Sequence, residues 1–261
     1  MIPVKIIFFD IDGTLVDPET GMISDKTIYA LTRLKEKGIR ICISTGRAPS
    51  EVPRLGQLEF DAYCTYNGSL CYSGSQILHS NPIAAEDVAC VLKNATGIGR
   101  PVAVATSHRL AANGWDQDLA DYYRLAKLEL TVAPDFDDAC REEIYQLLIG
   151  CCESEQEALI QGAHGVKIAV SWDRAVDVIP ASSGKGTAIA KVLEHFGLEA
   201  SQAMAFGDSQ NDLDMLRAVG IGVAMGNASP QAKAAADQVC GSVREDGIYH
   251  YCVEQGLIEA I

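Results

Sequence analysis

The sequence predicts an α/β protein with a parallel sheet, interrupted by a smaller inserted α+β unit. Three observations predict it. Residues 1–80 alternate short apolar runs with helical periodicity, the rhythm of a βαβαβ unit. From about Pro82 the texture changes to strands and helices of mixed spacing. After Pro180 the first texture returns. The first and last thirds therefore form one domain, residues 1–81 and 182–261, and residues 82–181 a second.

Val4 to Phe9 is a continuous apolar run, expected of a strand buried on both faces. Ser24 is placed to cap a helix carrying Ile28, Leu31 and Leu34 on one face, and Gly38 to follow its end. Arg40 to Ser44 reads as a second strand, Pro49 to Leu58 as a short helix, and Asp61 to Thr65 as a third strand. Leu70 to Tyr72 and Ile77 to His79 flank Ser73-Gly74-Ser75, a hairpin signal. In the insert, helices are expected at Ala84 to Lys93 and Glu153 to Gln161. Strands are expected there at Pro101 to Thr106, Glu143 to Cys151, Val166 to Ser171 and Ala175 to Ile179. A helix follows Gly184, then a strand at Ala203 to Gly207, a helix at Asp212 to Ala218 and a strand at Ile221 to Ala224. Ala232 to Ala236 and Ile248 to Gln255 are short helical candidates.

The chain of 261 residues carries 35 acidic against 21 basic side chains, a net charge of −14. That balance argues against nucleic acid or an anionic membrane as partner, since both recruit Lys and Arg. With 48% hydrophobic residues the chain is globular rather than disordered. Its 9 cysteines contain no CxxC pair, and several sit in apolar runs such as Ile41-Cys42-Ile43, so they read as small reduced hydrophobes. No run reaches the roughly 18 apolar residues of a membrane span, and Asp10 and Asp12 end the N-terminal apolar run before an export signal can form. A cytoplasmic location is expected.

The strongest chemical signal is Phe9-Asp10-Ile11-Asp12-Gly13-Thr14-Leu15. It follows a buried strand, and ligands of open parallel sheets bind at the carboxyl ends of strands. Asp10 and Asp12 repel one another, which a divalent cation with oxygen ligands relieves. An acidic turn that merely ends a strand would look similar. A calcium loop would not, because Leu15 stands where it needs glycine. The second signal is Gly207-Asp208-Ser209-Gln210-Asn211-Asp212, again after a strand. Helix capping would explain one acid there, but not the acids and Asn packed into residues 208–214.

Two weaker pieces complete a site. Ser44-Thr45-Gly46-Arg47 offers a hydroxyl, a backbone N–H and a guanidinium to phosphate oxygens. Lys185, in Ser183-Gly184-Lys185-Gly186, would be an ordinary solvated lysine if alone, and is a charge neutraliser beside carboxylates. It is not in a nucleotide-binding P-loop, since Ile179 and Gly186 stand where Gly and Ser or Thr belong. Gly220-Ile221-Gly222 with Gly226 has the wrong spacing for a dinucleotide loop and reads as backbone packing. The histidines are scattered and form no ligand pattern.

Taken in order, Asp10-Ile11-Asp12-Gly13-Thr14, Thr45-Gly46-Arg47, Lys185 and Gly207-Asp208-Ser209-Gln210-Asn211-Asp212 resemble the four motifs of the haloacid dehalogenase (HAD) superfamily. The long insert, Asn67-Gly68-Ser69 and Glu245-Asp246-Gly247-Ile248 are similar to its Cof-like phosphatases. The resemblance spans nearly the whole chain, with Asp17 departing from the small or apolar residue expected there. It implies a HAD-like Rossmannoid core and a type IIB (C2B) cap.

It further implies that Asp10 is the nucleophile forming an aspartyl-phosphate and Asp12 the general acid and base. The implied Mg²⁺ set is Asp10, Asp12 through its backbone carbonyl, and Asp208, with Asp212 supporting. Thr45, Gly46, Arg47, Asn67, Lys185 and Asn211 are the implied substrate contacts. The expected function is a Mg²⁺-dependent phosphatase of small phosphorylated metabolites such as sugar phosphates, closed over by its cap. A phosphotransferase or phosphomutase could use the same intermediate. A receiver-type phospho-acceptor domain places its acids differently, and a silent metabolite binder would not need the full set. Cap residues His108, Arg109, Trp115 and Arg124 show no readable spacing, and Trp115 and Tyr122 fit a core role equally well.

Overall fold

The apolar run before Asp10 forms β1 (Ile6–Phe9), and all four of its residues are buried. The computed structural model describes residues 4–54, 58–169 and 172–261. The chain continues through α1 (Asp25–Glu36), β2 (Arg40–Ser44), β3 (Ala62–Thr65) and the hairpin of β4 (Leu70–Ser73) and β5 (Gln76–Ser80). Ser24 caps α1 by accepting a hydrogen bond from the Thr27 amide, as its position predicts. The insert supplies α2 (Ala85–Gly97), β6 (Val102–Thr106), β7 (Leu110–Ala112), α3 (Gln117–Leu125), α4 (Phe136–Ala139), β8 (Ile144–Gly150), α5 (Gln156–Ile160), β9 (Val166–Ala169) and β10 (Ala175–Pro180). The chain then returns with α6 (Lys185–Phe196), β11 (Ala203–Gly207), α7 (Leu213–Arg217), β12 (Ile221–Ala224), α8 (Pro230–Ala235), β13 (Gln238–Val239) and α9 (Gly247–Glu254).

Among the described residues there are two sheets. The larger runs β13-β12-β11-β1-β2-β3-β4-β5, parallel from β13 to β3 and antiparallel beyond. The smaller, β7-β6-β8-β10-β9, is antiparallel throughout. Side-chain alternation divides the larger sheet's core between its faces. Ile7, Phe9, Ile41, Ile43 and Phe206 pack with Leu31 and Leu34 of α1 and Tyr251 of α9. Ile6, Phe8, Cys42, Cys64 and Ala205 pack with Ala188, Ile189 and Val192 of α6. The thiols of Cys42, Cys64, Cys71, Cys151 and Cys252 are buried, as small hydrophobes should be. Gly222 lets β12 lie against the Leu216 carbonyl, so the glycine pattern there serves packing.

The structure departs from expectation where local rules competed. The helix expected over Pro49 to Leu58 is only a 3-10 turn, Pro49–Glu51. Val52 precedes Pro53 and is extended (φ −67°, ψ 124°), because a following proline ring disfavours helical backbone. Residues 55–57 of that expectation lie outside the described residues, as do the last two residues of the strand expected over Val166 to Ser171. α2 runs one turn past Lys93, and β7, α3, α4 and β13 were not anticipated.

One turn carries unusual backbone. Tyr66 (φ 51°), Asn67 (φ 52°) and Gly68 (φ 89°) are successive left-handed residues between β3 and β4. A Cβ on Gly68 would overlap the Gly184 carbonyl at the start of α6. Gly68→Ala should therefore lower the urea-unfolding free energy by about 2 kcal/mol; a change below a few tenths would show that the turn tolerates a side chain.

Candidate active site

Parallel pairing brings the chemical residues together. β1 pairs with β11 on one side and β2 on the other, so the loops after Phe9, Phe206 and Ser44 leave the same sheet edge. Asp10, Asp208 and Thr45 occupy those loops. Gly13 turns the chain back with φ 83°, and a side chain there would overlap the Asp208 carboxylate.

Lys185, the first residue of α6, organises the buried charges. It is 1% exposed, and its Nζ donates to Asp10 Oδ1 and Asp212 Oδ1, both at 2.6 Å. Asp212 Oδ2 accepts the amides of Asp208 (2.9 Å) and Ser209 (3.0 Å). Burial works against the Lys185 charge, but Asp10 and Asp212 outweigh it and hold the ammonium firmly protonated. Burial, then repulsion from Asp212, pushes the Asp10 carboxyl well above its usual range, with Lys185 opposing. The same two causes lift Asp208 to about 7, against the Thr14 hydroxyl, which donates to Asp208 Oδ1 at 3.0 Å.

Oxygen atoms of Asp10, Asp208 and Asp212 lie within 4.8 Å of one another. Three hard anionic donors facing a single ammonium fit a divalent cation with oxygen preference. Asp12 differs: its side chain is 48% exposed and paired with Arg47, through Nε–Oδ2 at 2.8 Å and Nη2–Oδ1 at 2.6 Å. Arg47 also donates from Nη1 to the Glu51 carbonyl at 2.9 Å. Thr45 is buried, and its hydroxyl accepts the Arg47 amide.

Asp10, Asp12, Thr45, Gly46, Arg47, Asp208 and Asn211 line a cavity of about 510 Å³. Lys185, Asp212 and Asn67 are buried beneath it. Asn67 joins the two sheets. Its Oδ1 accepts from Asn211 Nδ2 at 3.0 Å, and its Nδ2 donates to Asp177 Oδ2 at 3.1 Å and Gln146 Oε1 at 3.3 Å. Trp115 is 56% exposed, whereas Tyr122 lines the cavity.

Sequence reasoning missed Thr14 as a partner of Asp208, and Gln146, Tyr122, Trp172 and Asp177 as the cavity's far wall. A signal existed for two of them. Gln146 and Asp177 are single polar residues within the apolar strands β8 and β10, and both are buried. Burial raises Asp177 to about 7, against hydrogen bonds from Tyr122 and Asn67. The native state thus binds this proton more tightly than an unfolded carboxyl with a pKa of 3.8. The protonated group favours folding most below that value, and the contribution is lost as pH rises toward 7. In Asp177→Asn the urea midpoint should consequently fall less between pH 5 and pH 8 than in the parent protein. An unchanged difference would mean that Asp177 does not titrate there.

Acids, an ammonium and a hydroxyl gathered at the carboxyl edge of a parallel sheet, under a second sheet, suit an enzyme that acts on phosphoryl groups. A family model of the haloacid dehalogenase-like hydrolases matches residues 7–252. YkrA of Bacillus subtilis (strain 168) is 35% identical over 263 residues, covering 98% of this chain and 99% of that protein. An HMP-PP phosphatase of Escherichia coli O6:H1 (strain CFT073) is 31% identical, over 95% of this chain and 94% of its own. The solved HAD subclass IIB sugar phosphatase BT4131 superposes with a TM-score of 0.91 at 32% identity, over 98% of this chain and 100% of that one. The chain belongs to the haloacid dehalogenase-like hydrolases and is a phosphoric monoester hydrolase of that type. Its fold is that of the Cof-like members, and membership decides against the receiver-type reading. Among the described residues, no helix is long and apolar enough to cross a membrane.

Proposed function

We propose that the protein is a Mg²⁺-dependent phosphatase of small phosphorylated metabolites that works through a phosphorylated Asp10. The observation that carries this reading is the buried Lys185 bridging Asp10 and Asp212, with Asp10, Asp208 and Thr45 lining the cavity. Residues 1–81 and 182–261 act as the catalytic core and residues 82–181 as the cap. Asp10 and Asp208 would hold the metal with the Asp12 backbone carbonyl, and Asp212 would support the cluster. When bound, Mg²⁺ supplies positive charge to the phosphoryl oxygens and relieves repulsion among the acids.

In the first step an Asp10 carboxylate oxygen forms a bond to phosphorus while the ester P–O bond breaks, and Asp12 gives its proton to the departing oxygen. In the second, Asp12 takes a proton from water, whose oxygen attacks phosphorus and releases Asp10 and inorganic phosphate. Thr45, the Gly46 amide and Lys185 hold phosphoryl oxygens, with Asn211 positioned at the same wall. Arg47 donates to both Asp12 oxygens in this structure, so it must release one of them before Asp12 carries the proton it gives up. The relatives' named substrates, HMP-PP and sugar phosphates, supply the metabolite class. A cytoplasmic location belongs to the same reading, since a reducing compartment keeps buried thiols in the form that packs.

Turnover of a panel of phosphomonoesters tests the proposal. Activity should vanish with EDTA and return with excess Mg²⁺. Full activity in EDTA would end the metal-dependent reading, and transfer to an acceptor without free phosphate would replace hydrolysis by phosphotransfer.

A further inference from the structure

Buried polar residues that the reaction leaves unused meet between the two sheets. Asn67, in the left-handed turn between β3 and β4, touches Gln146 of β8 and Asp177 of β10, and all three are buried. The hydrogen bonds through them run in one direction. Ser209 Oγ donates to Asn211 Oδ1 at 2.6 Å, and Asn211 Nδ2 donates to Asn67 Oδ1 at 3.0 Å. Asn67 Nδ2 then donates to Asp177 Oδ2 at 3.1 Å and Gln146 Oε1 at 3.3 Å. A carboxylate only accepts, whereas an amide can present either end. Asp177 therefore fixes which way the Asn67 amide faces, and Asn67 does the same for Asn211. Tyr122 holds Asp177 in turn, donating to its Oδ1 at 2.9 Å.

The same residues tie down the loop after β2. Asn67 donates its backbone amide to the Thr45 carbonyl at 2.9 Å, and Gln146 Nε2 donates to the Gly46 carbonyl at 3.2 Å. The Arg47 amide, at the other end of the Gly46–Arg47 peptide, donates to Thr45 Oγ1 at 3.2 Å. That bond uses a lone pair of the Thr45 hydroxyl and leaves its hydrogen for a phosphoryl oxygen. In a trans peptide N–H and C=O point oppositely, so the Gly46 N–H faces away from Asn67. A Cβ on Gly46 would lie 3.1 Å from Asn67 Nδ2, so the loop rests directly on the oriented amide.

We propose that Gln146 and Asp177 are positioning residues for the phosphoryl group, holding Thr45, Gly46 and Asn211 in binding geometry from the opposite sheet. The inference rests on the phosphatase reading and deepens it. Asp177 acts through the Asn67 amide alone, whereas Gln146 acts through that amide and through the Gly46 carbonyl. Neither residue has to touch the substrate. Donors aimed at a phosphoryl group lose much of their effect when displaced by an ångström, so the groups that fix them matter at a distance.

The test measures inorganic phosphate binding in Mg²⁺ by isothermal titration calorimetry on the full chain. It is paired with kcat/KM for acetyl phosphate, whose leaving group is too small to reach the far wall. In Asp177→Asn and in Gln146→Leu the Kd for phosphate should rise about tenfold, and kcat/KM for acetyl phosphate should fall by a similar factor. Full binding stoichiometry separates a weakened site from a partly unfolded sample. Removing a negative charge near an anion site would by itself tighten phosphate, so weakening in Asp177→Asn reports position and not charge. Asn67→Gly keeps the left-handed turn and removes the amide. In that background Asp177→Asn should have no further effect, whereas Gln146→Leu should still weaken phosphate through the Gly46 carbonyl. A parental Kd in either single variant, or an Asp177→Asn effect that is the same with and without Asn67, would overturn the proposal. So would losses confined to esters with large leaving groups, which would make both residues direct substrate contacts. A parent that binds phosphate, with the expected losses in the variants, yet turns over no phosphate ester would sink the phosphatase reading and not this one.

Discussion

Asp10→Asn should reduce phosphomonoester turnover by on the order of 10⁴-fold or more, the scale of nucleophile removal in covalent catalysis. The substitution preserves shape: an asparagine carbonyl can still accept from Lys185 Nζ, which lies 2.6 Å from Asp10 Oδ1. What it removes is the anionic oxygen that would bond to phosphorus. It should not unfold the protein, since burial and Asp212 both oppose a charge on Asp10 in the native state. The expected result is an inactive variant with parental circular dichroism and a melting temperature within a few degrees of the parent. Undiminished kcat would show that another group attacks phosphorus. Asp12→Asn separates the two roles. It should slow ester hydrolysis most when the leaving group is a poor one that needs its proton, and least for an activated aryl phosphate.

The core was legible because its signals are local. Strands at Ile6–Phe9, Arg40–Ser44, Ala203–Gly207 and Ile221–Ala224 are short buried runs bounded by turn residues or acids. The acids that matter stand at the ends of two of those strands, where a parallel sheet exposes its ligands. The cap was less legible for physical reasons. α3 has a readable start, since Asp116 accepts the Leu119 amide at 2.7 Å, but its apolar face is only Leu119, Ala120 and Tyr123. Gln146 and Asp177 announce burial by interrupting apolar strands, yet nothing local says that both accept from Asn67 of the other sheet's domain. The Asn67 role depends on a left-handed turn through two residues other than glycine, which propensity argues against. Arg47 likewise reads as a phosphate ligand from its neighbours, while its pairing with Asp12 depends on a contact across 35 positions.

Lys185→Met should both silence the enzyme and destabilise it. The loss of activity should be about 10² to 10³-fold, the scale for removing one preorganised charge from a transition state. The stability loss should be about 3–5 kcal/mol, because two carboxylates would be left in a buried site without their cation. Methionine keeps the volume, so packing alone predicts far less. The pH dependence distinguishes the two causes. In the parent, Asp10 and Asp212 hold Lys185 above its ordinary pKa of 10.5, so its contribution is constant between pH 5 and 8 and is lost only above that value. In the variant, the buried Asp10 carboxyl, raised already in the parent by burial and Asp212, loses the ammonium that opposed that rise and binds its proton more tightly folded than unfolded. Stability must therefore fall as pH rises, and the gap between variant and parent must widen from pH 5 to 8. Urea unfolding at both pH values in EDTA measures it without a metal ion compensating for the lost charge. A pH-independent gap would assign Lys185 to packing. Adding Asp212→Asn to Lys185→Met should recover part of the loss at pH 8, since it removes one of the stranded charges. If the double variant is instead less stable by the full sum of both changes, Lys185 and Asp212 are not energetically coupled. The 2.6 Å contact between them would then hold geometry but not charge.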